Sequence, residues 1–297
     1  MSAGFVLGID FGGTKIAMAT AGPDGAVLRT VRLATRAEDG ADVVLGRALD
    51  AARRLAEETA RDEGPLVAAG VATFGVVRGD RVLLAPNVPG WEDLPLPRLL
   101  NDGLDAPVVR LDNDVNAATA AELRWGGLAG TDTGLYVNLG TGLGAGVVAG
   151  GRVVRGANGA AGEIGYLLRS PGEPGHGAGR APLEEHVSGG GLARRASALA
   201  GREITAPQLF GPSVPAELRV LRDRALGDLG MAIANLAITL DPERVVLGGG
   251  MAAEPALVSR LEHLLARAVP FPPALKPAHF GADAALRGAL ALALDSL

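Results

Sequence analysis

The chain has 297 residues, 48% of them hydrophobic, a formal net charge of -5 and no cysteine. That length and apolar content predict a soluble protein with a substantial core, divided into two domains. The lack of cysteine excludes disulfides, thiolate zinc sites, iron–sulfur clusters and cysteine nucleophiles, and the mild acidity gives no footprint for nucleic acid.

In chain order, FVLGID (5–10) is an apolar run ending at an aspartate, and KIAMATAGPDGAVLRTVRLAT continues it through a turn at Gly22-Pro23-Asp24-Gly25. This predicts a three-strand meander. The start MSAGF has neither the basic beginning nor the long apolar stretch of a signal peptide, and no later run reaches the ~18 apolar residues that span a bilayer. The expected setting is therefore cytoplasmic, with no membrane partner. Residues 41–62 place Leu45, Leu49, Ala52, Leu55 and Ala56 at helical spacing. PLVAAGVATFG and APVVRLDND supply two further strands, each followed by a polar loop.

From residue 134 the opening pattern returns as TGLYVNLGTGLGAGVVAGGRVVRG, with a strand, a glycine turn, a strand and a tight Gly150-Gly151 turn. A duplication is the natural reading. Residues 217–238 carry Leu218, Leu221, Ala225, Leu229, Ala232 and Leu236 on a helical stripe that stops at Asp241-Pro242, before the strand RVVLGGG. ADAALRGALALALDSL closes the chain as a helix. The expected architecture is α/β, with two halves flanking a cleft.

Three glycine loops carry the candidate chemistry. DFGGTK (10–15) sets Asp10 at a strand end, then Gly12 and Gly13, whose amides can approach an anion, then Thr14 and Lys15, one of only two lysines. A plain hairpin turn uses the same two glycines. GTGLGAG (140–146) matches a loose dinucleotide fingerprint, but strand residues follow it where that fingerprint needs a helix, and no GK[ST] occurs anywhere. LGGGMA (247–252) follows a buried strand and precedes a helix near Glu254 to Ala268, a seat for a phosphate or nucleoside. In VVRLDNDVNAATAAELRWGG a strand delivers Asp112, Asn113 and Asp114 to a helix start. Capping accounts for one of the three. The sharper reading makes Asp114 a general base that takes a proton from an attacking hydroxyl during phosphoryl transfer.

DFGGTK, PNVPGW (86–91), LDNDVNAAT (111–119), NLGTGLGAG (138–146), GEIG (162–165), LEEHVSG (183–189) and VVLGGG (245–250) together resemble the ROK family of bacterial sugar kinases and repressors, particularly its glucokinases. The resemblance implies an actin-like, ribonuclease-H-like ATPase fold, with a first domain of residues 1–112 rejoined by the C-terminal helix 282–297 and a second of residues 113–281, a sugar substrate, ATP and Mg2+, and a homodimer or homotetramer. It implies that Asp10 organises the hydrated magnesium and that Gly12, Gly13, Thr14, Thr141 and Gly142 hold phosphates, with Lys15 beside them. Gly248, Gly249 and Gly250 border the adenosine; Asn87, Asn113, Glu163 and Glu184 meet the sugar; Asp114 is the base toward its 6-hydroxyl. An ionised glutamate accepts bonds from two neighbouring hydroxyls, which suits ring recognition. Glu173 and Glu185 match no motif position and are expected to be solvated loop charges.

The sequence departs from the family in two places. Most members carry a zinc site made by a histidine after GEIG and three cysteines before LE; here Tyr166, Gly175, Gly177 and Pro182 stand there. His176 and His186 remain, but two isolated histidines do not make a tetrahedral site, so no structural zinc is expected. Pro171, Pro174 and Pro182 stiffen the loop instead. Tyr166 replaces a histidine that touches the sugar in family glucokinases, and either bonds the sugar by its hydroxyl or packs. At Thr73-Phe74-Gly75 the family usually has Pro before the Gly. The leading expectation is an ATP-dependent hexokinase for glucose or a related aldohexose. Polyphosphate as donor and a non-catalytic sugar-binding regulator are the alternatives; a DNA-binding repressor is disfavoured because the phosphate-loop strand starts by residue 5.

Overall fold

The computed structural model describes residues 4–92, 94–211 and 213–297; the first three residues of the MSAGF segment lie outside them. The chain forms two compact units, one of residues through Trp125 with 155–161 and 283–297, the other of 126–154 and 162–282.

The first unit opens with β1 (Phe5–Phe11), β2 (Lys15–Ala21) and β3 (Val27–Ala34), the expected antiparallel meander. Helix α1 (Ala41–Glu63) follows, then β4 (Leu66–Thr73), a small hairpin of β5 (Val76–Arg78) and β6 (Arg81–Leu83), helix α2 (Leu96–Gly103), β7 (Val109–Asn113) and α3 (Asp114–Trp125). β4 lies parallel to β1, and β7 parallel to β4, giving the sheet order β3-β2-β1-β4-β7.

In the second unit β8 (Gly134–Leu139), β9 (Leu143–Ala149) and β10 (Arg152–Val154) form another antiparallel meander. Helices α4 (Pro182–Val187), α5 (Gly189–Ala200) and α6 (Ala216–Leu240) precede β11 (Arg244–Gly248), helix α7 (Pro255–Ala268) and β12 (Ala274–Pro277). β11 joins β8 in parallel and β12 joins β11, so the order β10-β9-β8-β11-β12 repeats that of the first sheet strand for strand. Helix α8 (Ala284–Leu294) then returns to the first unit. The duplication read from the glycine turns is thus a duplication of topology.

Because side chains alternate along a strand, β1 presents Leu7, Ile9 and Phe11 to one face, where they meet Val44, Leu45, Ala48, Ala52 and Leu55 of α1. Val6 points the other way, with Ala17, Ala19, Leu286, Leu290 and Leu294 of the α8 side. With both faces covered, β1 is buried along its whole length, which is why it reads as a continuous apolar run. Each fully buried leucine on these faces contributes about 1.5–3 kcal/mol. The second core gathers Leu135, Val137, Val245 and Leu247 from the strands with Leu229 and Ile233 of α6 and Leu261 and Leu265 of α7.

The first unit extends past the boundary expected near residue 112, because α3 is packed on α8. Residues 155–161 also belong to it: Arg155 Nε donates to Asp112 Oδ2 at 2.6 Å. Elements not legible from periodicity include α5, which opens on three glycines of low helix propensity and is held by a Ser188 cap, and the edge strand β12, which ends on a proline.

At the α3–α8 crossing a Cβ on Gly288 lies 1.8 Å from the Ala117 carbonyl oxygen, so the helices touch backbone to backbone. Gly288→Ala is therefore expected to force them apart and lower the unfolding free energy by about 1–3 kcal/mol, despite alanine's better helix propensity. Urea denaturation checks this; a stabilised variant contradicts the packing described.

Candidate active site

Strand register builds a polar constellation within the first unit. Asp10 pairs with Ala72 and Ala72 with Asp112; Phe11 pairs with Thr73 and Thr73 with Asn113. Asp10 and Asp112 thus lie two strands apart, about 10 Å, and the chain leaves β7 directly into α3 at Asp114.

The three consecutive polar residues there have three different tasks. Asp112 is buried and structural: its Oδ1 accepts from the Asn113 amide and from Asn116 Nδ2, each at 2.9 Å, and its Oδ2 meets Arg155. Asn113 caps α3, its Oδ1 accepting from the Asn116 amide at 2.6 Å. Asp114, with its Oδ1 accepting from the Val115 amide at 2.9 Å, is needed for neither. Burial pushes its carboxyl up to about 6, against the opposing pull of the Val115 amide and its own. Asp10 is pushed up to about 7, first by burial and then by the negative charge of Asp114, with Lys15 opposing and Asp283 adding. A cluster of carboxylates that resists full ionisation is chemically suited to a divalent cation, which is held through one or two carboxylates and substrate phosphates without an all-protein cage.

The 12–15 turn lies above this group. The Gly12 amide donates to the Lys15 carbonyl at 3.0 Å, so it is spent on closing the hairpin; Thr35 fastens the turn from its hydroxyl to Gly12 O (2.6 Å) and its amide to Thr14 O (3.0 Å). Thr14 and Lys15 are exposed, and a Cβ on Gly13 reaches Asn87 Nδ2 at 3.0 Å, which places the PNVPGW loop against the turn. That loop is anchored by the fully buried Trp91, whose ring lies 5.1 Å from both Phe11 and Phe74 and whose Nε1 donates to Thr73 Oγ1 at 3.1 Å. Thr73 is thus the acceptor for this anchor, and Phe74, which stands where the family usually has Pro, packs against its ring.

In the second unit, the Gly140–Gly142 turn is docked on the start of α5. Gly189 and Gly190 amides donate to the Gly140 and Thr141 carbonyls at 2.9 and 3.0 Å. Glu184 Oε2 accepts from the Leu143 amide at 2.9 Å and lies 3.0 Å from where a Gly142 Cβ projects. One oxygen of this expected sugar ligand therefore holds the turn. Gly249, at φ +82°, lets β11 end within 2.4 Å (to a Cβ) of the Leu139 carbonyl carbon, and Gly248 abuts the Tyr136 hydroxyl. Those two glycines serve packing, while Gly250 borders a pocket of about 800 Å3 with Thr141, Gly190, Ile204, Pro207 and Met251. The Ser188-Gly-Gly-Gly cap in the sequence was the available signal for this wall.

Glu163 precedes a short 3-10 turn (Ile164–Tyr166), and Tyr166 presents its ring edge-on to His176 at 5.3 Å. Glu173 and Glu185 correct the expectation of solvated charges. Glu173, 12% exposed, accepts from the Arg169 amide at 2.7 Å and is ion-paired with the Arg169 guanidinium. Glu185 pairs with Arg180, which holds its carboxyl down at about 2, and also accepts from the Ala181 amide at 3.0 Å. Both are held because their partners lie four and five residues away on a loop folded back by its glycines and prolines. Among the described residues no group of three or more His, Cys, Asp or Glu side chains could hold a metal ion.

Comparison with protein families matches residues 6–296 to the ROK family. A glucokinase of Halalkalibacterium halodurans is 32% identical over 91% of this chain and 88% of its own. An N-acetylmannosamine kinase of Escherichia fergusonii is 33% identical over 97% of each chain. The crystal structure of a ROK family glucokinase from Streptomyces griseus, in complex with glucose and AMPPNP, superposes with TM-score 0.77 at 28% identity, covering 98% of this chain and 100% of that one.

The raised carboxyl of Asp10 carries a stability signature. Its folded state binds the proton more tightly than the unfolded chain, so its effect on stability is absent below pH 4 and becomes increasingly unfavourable as pH rises toward 7. Asp10→Asn is expected to raise Tm by about 2–4 °C or more at pH 8 and by less at pH 5, measured by scanning calorimetry without magnesium; an equal shift at both pH values contradicts it. Metal analysis of the purified protein is expected to find no stoichiometric zinc.

Proposed function

Since the chain belongs to the ROK family and shares the actin-like ATPase fold of its sugar kinases, we propose that this kinase transfers the γ-phosphoryl group of ATP to the 6-hydroxyl of glucose or a related aldohexose. The observation that carries this reading is Asp114: a carboxyl at the start of α3, outside the capping and anchoring bonds of its neighbours, with its proton affinity raised to about 6. A group so tuned is mostly ionised at pH 7 yet basic enough to accept a proton as the hydroxyl attacks.

The sugar 6-hydroxyl gives its proton to the Asp114 carboxylate while its oxygen bonds to the γ-phosphorus. The bond from that phosphorus to the β,γ-bridging oxygen breaks, and ADP leaves with the electron pair. Asn87 and Asn113 of the first unit, and Glu163, Tyr166 and the second oxygen of Glu184, orient the ring. Gly13 and Thr14, with Thr141 and Gly142, hold phosphate oxygens, and Lys15 adds positive charge. Gly12 contributes through its hairpin bond, and Gly248 and Gly249 through packing. Asp10 would hold a hydrated Mg2+, which would supply charge neutralisation on the transferred phosphate.

A nucleotide donor is supported over polyphosphate by the pocket beside Thr141 and Gly250, whose Ile204, Pro207 and Met251 offer an apolar wall to a base. Glucose is supported by the ligand of the Streptomyces griseus structure. The similarity to an N-acetylmannosamine kinase makes N-acetylhexosamines the informative competitors. Cytoplasmic location and a homo-oligomeric state belong to the same proposal. Among the described residues no helix is long and apolar enough to cross a membrane.

A coupled assay over hexoses and N-acetylhexosamines, with ATP and polyphosphate as donors, is expected to give the highest kcat/KM for glucose or a close epimer with ATP. No turnover with any pair defeats the reading. Asp114→Asn is expected to lower kcat by about 10²–10⁴-fold. For the wild type, kcat/KM falls below pH 6, because protonation of Asp114 removes the base. A variant of full rate refutes the base assignment.

A further inference from the structure

In place of metal ligands, the segment after the 3-10 turn of Glu163 and Tyr166 carries an ionic clasp centred on Arg169. Its guanidinium pairs with Glu173, closing the loop, and its Nη1 donates to Asp228 Oδ2 on α6 at 3.3 Å. The same Asp228 oxygen lies 3.1 Å from His186 Nε2 of α4. Burial, followed by the charges of Arg195 and Arg169, lowers His186 to about 4 against Asp228 and Glu173, so at neutral pH its ring is uncharged. Arg195 of α5 closes the arrangement by donating to the His186 carbonyl at 2.7 Å.

The clasp stands close in sequence to two groups assigned to the sugar. Arg169 is three residues after Tyr166, and His186 two residues after Glu184. Arg169 is also the only member that reaches both the loop carboxylate and α6 from a single planar group. A guanidinium suits this because its fork presents several donors in fixed directions, whereas an ammonium offers one compact charge. The side chain is only 27% exposed, and removing it leaves Glu173, 12% exposed, without its cation.

We propose that Arg169 is a positioning residue for sugar binding: by clasping the 167–173 loop to Asp228 of α6, it fixes the 3-10 turn that presents Glu163 and Tyr166. The 140–142 turn and the wall of the neighbouring pocket rest on backbone bonds from Gly189 and Gly190 and on Glu184, none of which involves Arg169. Loss of the clasp therefore reaches the sugar and spares the nucleotide. This inference rests on the sugar-kinase reading above.

Steady-state kinetics of wild type, Arg169→Gln, Arg169→Lys, Asp228→Asn and the Arg169→Gln/Asp228→Asn double variant test it with the intact chain. For Arg169→Gln the sugar KM is expected to rise about 10-fold, with the ATP KM within about twofold of wild type and kcat changed less than the sugar KM. Arg169→Lys falls between the two, and the double variant is no worse than the more impaired single one, because both remove the same contact. Should Arg169→Gln not fold, Glu173→Gln is expected to show the same split at smaller size. An unchanged sugar KM, parallel rises in sugar and ATP KM, or a lysine variant as impaired as glutamine overturns the inference. If wild type is active and Arg169→Gln matches it, only this inference fails; if wild type phosphorylates no sugar, the kinase reading falls and this inference with it.

Discussion

The first unit depends on the junction where β7 becomes α3. A strand that ends and a helix that begins within two residues leave backbone amides and carboxylates in close quarters, and each must find a partner before any group can be spared for chemistry. Asp112 is fixed by Arg155 and Asn116, and Asn113 satisfies the third amide of the helix. With those demands met locally, Asp114 can be held in a fixed place without being neutralised by an ion pair. Burial, opposed by the Val115 amide and its own, keeps its proton affinity near neutrality.

The same economy appears across the two sheets. Each has its meander and its pair of parallel strands in the same order, so each delivers a hairpin turn and a strand end to the same edge of its sheet. In the first unit that edge carries carboxylates, and in the second it carries glycines and a helix start. Identical topology has been given different chemistry by the residues placed at equivalent ends. The glycines themselves divide: some permit close backbone contact, as at Gly249, and others border open space, as at Gly250.

The loop between the 3-10 turn and α4 is held by paired charges. Two ion pairs, Arg169 with Glu173 and Arg180 with Glu185, and the shared acceptor Asp228 bind it to itself and to α6. The more exposed pair, Arg180 with Glu185, contributes little through its charges alone. Here the carboxylates also accept backbone amides, at Arg169 and Ala181, so the charges double as loop anchors.

The two meanders, strands β4, β7 and β11, the long helices, the glycine turns and the family were legible in the sequence, because alternation, helical spacing and motif order are local properties of the chain. The candidate base was legible too, since Asp114 stands in a motif. What only tertiary structure decided is which polar groups remain available. Asp112 looks equivalent to Asp114 until Arg155, 43 residues away, and Asn116 take it, and Asn113 spends only its side-chain oxygen, on the Asn116 amide. Glu173 and Glu185 look solvated until the loop folds back and its arginines reach them, and Glu184 shows its second duty only when Leu143 arrives beneath it. Hydrogen-bond and ion-pair partners are set by distance in space, and a single sequence records only distance along the chain.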